Sequence, residues 1–167
     1  ISAKGTYLVE VNLTNGNAIF NYPFYNNTEY PLIPEALNRV ITQAIDLLAM
    51  REEMLALVNQ ARAAQKLPAI VLSPELNNLS QYKANDLKDK KYFAHQDPGG
   101  FDINHYAFSY GVYTVVRENL AKRNAVATAF ADLMKSAIHS ENVLAPGVGR
   151  MGLGIVVDPA DNQIYFV

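Results

Sequence analysis

No cysteine occurs anywhere in the 167 residues of this chain, so its fold is held by an apolar core and backbone hydrogen bonds, without covalent cross-links. The length permits that. Half of the residues are apolar, and a chain of this size buries roughly 70% of the surface its unfolded form exposes, enough for one domain with a short appendage. The same absence rules out a thiol nucleophile, a Cys-type zinc site and a redox couple. Any metal site must be built from His, carboxylate and amide oxygen. With 14 basic and 16 acidic side chains, a formal charge of -2 and no basic stripe, nucleic acid is not expected as a partner. No apolar run approaches the roughly 18 residues that span a bilayer, so no transmembrane segment is expected. The chain opens at Ile1 rather than Met, which fits either removal of an export signal or trimming to an ordered core. Lack of cysteine fits the cytosol and a bacterial exterior equally.

The first thirty residues differ in texture from the rest. Thr6-Tyr7-Leu8-Val9-Glu10-Val11-Asn12-Leu13 is β-branched and aromatic, Asn15-Gly16 suits a type I′ turn, and Ala18-Ile19-Phe20-Asn21-Tyr22 follows. This predicts a β-hairpin. An isolated hairpin is marginal, so one that leans on the main domain should bury Leu8, Val11 and Phe20. Pro23, Asn26, Asn27, Pro31 and Pro34 predict a loop, giving a hairpin and linker over 1–34 and a main domain over 35–167.

From Glu35 to about Lys66 the spacing of Leu37, Val40, Ile41, Ala44, Leu47 and Leu48, then of Met54, Leu57, Val58 and Ala61, is helical. Ser73-Pro74-Glu75 supplies an N-cap hydroxyl, a proline at the first helical position and an acid in the first turn. Leu76, Leu79 and Leu87 recur behind it, predicting a helix over about 74–90. Asn124 opens another, with Val126, Phe130, Leu133, Met134 and Ala137 on one face. Residues 152–157 and 164–167 read as strands joined by a turn at 158–162. Helices first and strands last indicate an α+β domain rather than a βαβ repeat.

Three histidines carry the question of chemistry. His95 follows a predicted helix and precedes the turn Gln96-Asp97-Pro98-Gly99-Gly100; His139 takes the equivalent place after the next amphipathic helix; Glu118 lies between them. Neutral imidazoles with a carboxylate suit a divalent ion such as zinc, and three such ligands with an open position make a reactive site. A helix-end histidine taken singly is more often a surface or capping group. Phe101, Tyr106, Phe108, Tyr110 and Tyr113 form an aromatic cluster between these positions. Rings with polar tips suit a wall for an amphipathic ligand, and equally the cover of an irregular segment.

The order of motifs resembles the bacterial branch of the CAP superfamily (cysteine-rich secretory proteins, antigen 5 and pathogenesis-related 1 proteins). It runs Leu57-Val58-Asn59-Gln60-Ala61-Arg62, Ser73-Pro74-Glu75-Leu76, Tyr92-Phe93-Ala94-His95, Glu118-Asn119-Leu120-Ala121, His139 with Asn142-Val143-Leu144, and Gly152-Leu153-Gly154. The resemblance covers about residues 50 to 167. It implies a three-layer α-β-α sandwich, an extracellular or cell-surface location and a cleft lined by two histidines and acidic residues, sometimes holding a divalent cation. The residues it implies as metal ligands are His95, Glu118 and His139, with Glu141 as the nearby acid; zinc is the cation expected. Some eukaryotic members bind sterols or fatty acids, which would make Tyr106, Phe108, Tyr110 and Tyr113 ligand-binding. Departures from the family pattern are Ile138-His139-Ser140 in place of Gly-His-Arg, Arg117 in place of Gly, and Phe130 where Trp is common. Since consecutive side chains diverge, Arg117 is expected to turn to solvent, and His105 matches no family ligand.

Three functions follow as expectations. The first is a secreted or cell-surface module whose His/Glu cleft holds a divalent ion and a small-molecule, lipid or peptide ligand. The second is a peptide or ester hydrolase using a metal-bound or His-activated water, with Glu118 as base. The third gives the cleft no function and makes the protein an envelope interaction module acting through the hairpin, whose strands can add to another sheet.

Overall fold

The computed structural model describes residues 4–12, 18–27, 46–160 and 162–167. The chain divides into two compact units, 1–39 and 40–167.

In the first unit, β1 (Gly5–Asn12) pairs antiparallel with β2 (Ala18–Asn26), from Gly5 opposite Asn26 to Asn12 opposite Ala18, with an irregularity between Val11 and Asn12. The hairpin forms as its β-branched runs predict, while the Asn15-Gly16 turn lies outside the described residues. One expectation is corrected: β2 continues through Pro23, opposite Leu8, where the prolines predict a loop. Proline lacks a backbone donor and is tolerated where its nitrogen faces off the ladder; each strand of a two-stranded sheet has such an open side. Val11 is exposed; the side chains of Leu8 and Phe20 lie outside those described.

The second unit opens with α1 (Leu47–Ala64), capped by Asp46, whose side chain accepts from the Ala49 amide. The earlier part of the predicted helical stretch, up to residue 45, lies outside the described residues. Next come β3 (Val71–Leu72) and α2 (Pro74–Asp89), the latter capped by Ser73 with Pro74 in its first turn, within a residue of prediction. α3 (Ile103–Ala107) runs into a single 3-10 turn, Phe108–Tyr110. β4 (Ala121–Arg123), α4 (Val126–Lys135), α5 (Ala137–Val143), β5 (Arg150–Met151), β6 (Ile155–Asp158) and β7 (Gln163–Phe166) complete the chain. The short strands β3, β4 and β5 interrupt the expected order of helices first and strands last. Runs of two or three residues carry no readable alternation; long-range pairing alone defines them.

β7 is the centre of a three-stranded antiparallel sheet, β4-β7-β6, with Phe166 facing both Ala121 and Ile155. Its side chains alternate between two cores. Ile164 and Phe166 join Met54 and Val58 of α1 and Ala129 and Leu133 of α4. Tyr165 and Val167 join Leu79 and Leu87 of α2 and Ile103 and Ala107 of α3. Helices thus cover both faces of the sheet, giving the expected α+β three-layer α-β-α sandwich. The glycines of Gly152-Leu153-Gly154 have a steric origin: a Cβ on Gly154 would lie 2.0 Å from Ser80 O, and one on Gly152 2.2 Å from the Leu76 carbonyl carbon. Their backbone lies against α2, whose Asn77 and Gln81 side chains bond the main chain of Leu153 and Ile155.

Candidate functional site

His95 is placed by the way α2 ends. The Tyr92 amide bonds Leu87 O and the Lys91 amide bonds Lys88 O, with Lys91 left-handed at φ 55°. This pair of bonds is the Schellman termination, which turns the chain sharply off the helix axis. The following loop is knotted around Asp97. Its Oδ1 accepts from the amides of Gly99 (2.8 Å) and Phe101 (3.0 Å), and its Oδ2 from the Tyr106 hydroxyl. The Tyr106 bond, followed by the backbone bonds, holds the Asp97 carboxyl down at about 2 against an ordinary 3.8.

Within this frame His95 Nδ1 lies 2.6 Å from Glu118 Oε2. The carboxylate accepts, so Nδ1 carries the ring proton and Nε2 is left for a further partner. The Glu118 side chain is only 6% exposed, against 27% for His95. Its second oxygen, Oε1, is buried and has no hydrogen-bond partner among the described residues. Glu118 also lines a cavity of about 910 Å³, bounded by Met54, Val58, Leu76, Leu79, Phe130 and Leu133 in its apolar part and by Arg117, Asn119 and Asn142 near Glu118.

The Glu118 segment is tied to α5 by amides. Asn119 Nδ2 donates to His139 O (3.0 Å), and Asn142 Nδ2 donates to Asn119 Oδ1 (2.8 Å) and Glu118 O (3.3 Å). The backbone of His139 is therefore joined to the residue after Glu118. The sequence pattern puts His139 just past a helix; instead it lies inside α5, because extended backbone at Ser136 (ψ 126°) ends α4 and a new helix starts at once. Glu141, two positions on, projects about 200° around the same helix. Its side chain is 77% exposed and lies 4.0 Å from Arg117 Nη1. Arg117 turns outward, as neighbouring side chains predict, and bonds Asn142 Oδ1.

Among the described residues no group of three or more His, Asp or Glu side chains is placed to hold a metal ion. The His95–Glu118 contact matches the outer-shell arrangement in which a carboxylate orients an imidazole, but two donors fall short of the three that zinc takes from a protein. The residues present do not amount to a complete centre for the implied cation.

The aromatic set divides. Tyr106 and Tyr110 pack on Tyr82 at centroid distances of 4.9 and 5.4 Å, and Tyr106 also bonds Asp97. Phe108 and Tyr113 stack edge to face at 5.3 Å and are exposed. Tyr113 borders the cavity. His105 is exposed, stacked on Phe101 and edge-on to Tyr106.

Several residues of the site escaped sequence reasoning. Lys83 bonds the His95 carbonyl and the Tyr92 hydroxyl, Asp97 organises the His95 loop, and Asn119 and Asn142 bind two elements together. The available signal was Lys83 itself, a cation falling on the α2 stripe of Leu76, Leu79 and Leu87.

Comparison with known proteins agrees with this architecture. The chain is 29% identical over 131 residues to the protein YkwD of Bacillus subtilis (strain 168), covering 75% of this chain and 50% of that relative, so it spans half the relative's length. Among solved structures, an outer surface protein from Borrelia burgdorferi superposes with a TM-score of 0.66 at 17% identity, covering 74% of this chain and 92% of that one. An extracellular protein containing an SCP domain from Bacillus anthracis str. Ames superposes at 0.61 and 20% identity, covering 87% and 45%. Both show a shared fold. The profile of the cysteine-rich secretory protein family matches residues 55–167, more than half of the sequence and the whole of the sandwich after the start of α1. The chain belongs to that family, the CAP proteins.

Proposed function

We propose that this CAP domain is an extracellular binding module whose ligand is held at the His95–Glu118 pair and in the cavity that Glu118 lines. The observation that carries the reading is Glu118 itself. One oxygen is fixed by His95 while Oε1 is buried without a partner among the described residues, and a buried acceptor left unmatched costs about 1–3 kcal/mol. A ligand bearing an N–H or O–H donor on an apolar body would match both that oxygen and the cavity wall. The extracellular place is supported by relatives described as an outer surface protein and an extracellular protein.

The test is a thermal-shift screen of amphipathic donors (long-chain alcohols, amines, acylated peptides) against wild type, Glu118→Gln and Phe130→Ala. Stabilisation by at least one class that both variants lose supports the reading. Equal shifts in all three proteins sink it. A zinc titration in parallel tests the ligand set His95, Glu118, His139 and Glu141: zinc bound by wild type and lost in the His95→Ala, His139→Ala double variant supports a metal centre, and identical titrations remove it.

A second reading, hydrolysis, is favoured by the same short contact. A carboxylate holding Nδ1 is the orienting half of a general-base arrangement, leaving Nε2 to activate water. Turnover of an ester or peptide substrate abolished by His95→Ala supports it; no turnover across a broad ester and peptide panel removes it.

A further inference from the structure

We propose that Lys83 is a positioning residue of this site: a buried ammonium that grips the main chain of His95 and supplies positive charge behind Glu118. It thereby holds the imidazole on the carboxylate and leaves Nε2 for the ligand. The inference rests on the His95–Glu118 pair being the working part of the molecule.

Lys83 is 2% exposed and lies on the face of α2 that buries Leu79, Ala84 and Leu87. A methionine would fill that space without bringing a charge out of water, and lysine is almost never fully buried unless its charge is matched. Its Nζ donates to His95 O at 2.8 Å and to the Tyr92 hydroxyl at 3.1 Å, and sits 4.9 Å from the centre of the Tyr92 ring. The Tyr92 hydroxyl donates to Asp86 Oδ2 at 2.6 Å, and Lys90 pairs with the other oxygen of Asp86 at 2.7 Å. The ammonium is thus anchored to its own helix on one side and to the His95 backbone on the other.

Four carboxylates act on it electrostatically. Burial pushes the Lys83 ammonium down from its ordinary value, and Glu118 leads Asp86, Asp97 and Asp102 in holding it charged. Asp86 is occupied by Tyr92 and Lys90, and Asp97 by Tyr106 and two amides. Asp102 accepts from the amides of Asn104 and His105. Glu118 keeps a buried oxygen with no hydrogen-bond donor among the described residues, so the Lys83 charge acts on it through space. His95 is then fixed at two points: its carbonyl by Lys83 and its ring by Glu118.

The experiment is a proton–nitrogen spectrum of the full chain labelled with 15N-histidine. Wild type should show a downfield, slowly exchanging Nδ1–H for His95, the signature of a short bond to a carboxylate. In Lys83→Met, with the fold verified by its amide spectrum, that resonance is expected to be lost. Lys83→Cys, alkylated with 2-bromoethylamine in the unfolded state and refolded, should restore it; the chain has no other cysteine, so only this position reacts. A residue that merely filled space would lower stability and leave the resonance in place, and its persistence in Lys83→Met overturns the proposal. Should Lys83→Met fail to fold, Glu118→Gln is read from the lysine side. The Lys83 Nζ resonance shifts if it faces Glu118, and an unmoved signal overturns the proposal. A wild type without the His95 resonance removes the pair itself, and with it the proposed function. Its loss only in Lys83→Met leaves that function to be decided by the ligand screen.

Discussion

Asp97 shows how much one side chain can organise. It accepts two backbone amides and a phenol, closing the loop that presents His95. Its carboxyl is held at about 2 in the folded chain against 3.8 ordinarily. The folded state therefore keeps the charge where the unfolded chain begins to take up a proton. The resulting stabilisation is complete above about pH 4 and is lost as pH falls toward 2. Asp97→Asn is expected to flatten the acid limb of a plot of melting temperature against pH, which scanning calorimetry between pH 2 and 6 would read directly. Arg62 is a second organiser. It is fully buried, and its guanidinium donates to the carbonyls of Pro68, Val143, Ala145 and Val148. Arg62→Met fills much of the volume but leaves those acceptors without donors, so chemical denaturation should show a loss of about 3 kcal/mol or more.

At the scale of elements, the helix ends carry local cost. α1 and α2 both end in Schellman turns with lysine, not glycine, in the left-handed position, at Lys66 (φ 57°) and Lys91 (φ 55°). A side chain in that region costs about 1 kcal/mol or more. Lys91→Gly should accordingly raise stability by about 0.5–1 kcal/mol in urea denaturation, and no gain would show that the Lys91 side chain contributes contacts that offset its strain. The approach of the 152–154 backbone to α2 has the opposite sensitivity. A methyl on Gly154 meets the Ser80 main chain, which cannot rotate away, so Gly154→Ala should destabilise by about 3 kcal/mol or more. Normal stability in that variant would mean α2 and the 152–154 segment can separate without cost.

Over the whole molecule, both core clusters among the described residues are drawn from 54–167, within the second compact unit and close to the span matched by the family profile. A fragment of residues 40–167 is expected to unfold in one cooperative thermal transition. A broad, non-cooperative melt would show that its core requires residues 1–39.

Periodicity and capping made α2 legible almost to the residue, because Ser73, Pro74 and the leucines act over one turn of helix. β7 was legible because its apolar residues are contiguous and buried on both faces. His95 and Glu118 stood out as candidates, but their sequence positions contain no information on the 2.6 Å between them. His139 and Glu141 show the limit from the other side. Adjacency in the chain suggested a shared role, while the helical twist of α5 sends them in different directions. Lys83 was hidden because burial is a property of the packed layers, and a lysine in a helix ordinarily reads as solvated.

The sequence by itself determined α1, α2 and α4, the terminal strands, the need for a non-covalent core and the membership of the fold, since these depend on patterns within a few residues or on the order of motifs. Tertiary structure alone decided which side chains share a site. It bonded Glu118 to His95, buried Lys83 against the His95 carbonyl and turned Glu141 out to solvent, because contacts between residues distant in the chain exist only once the layers have packed.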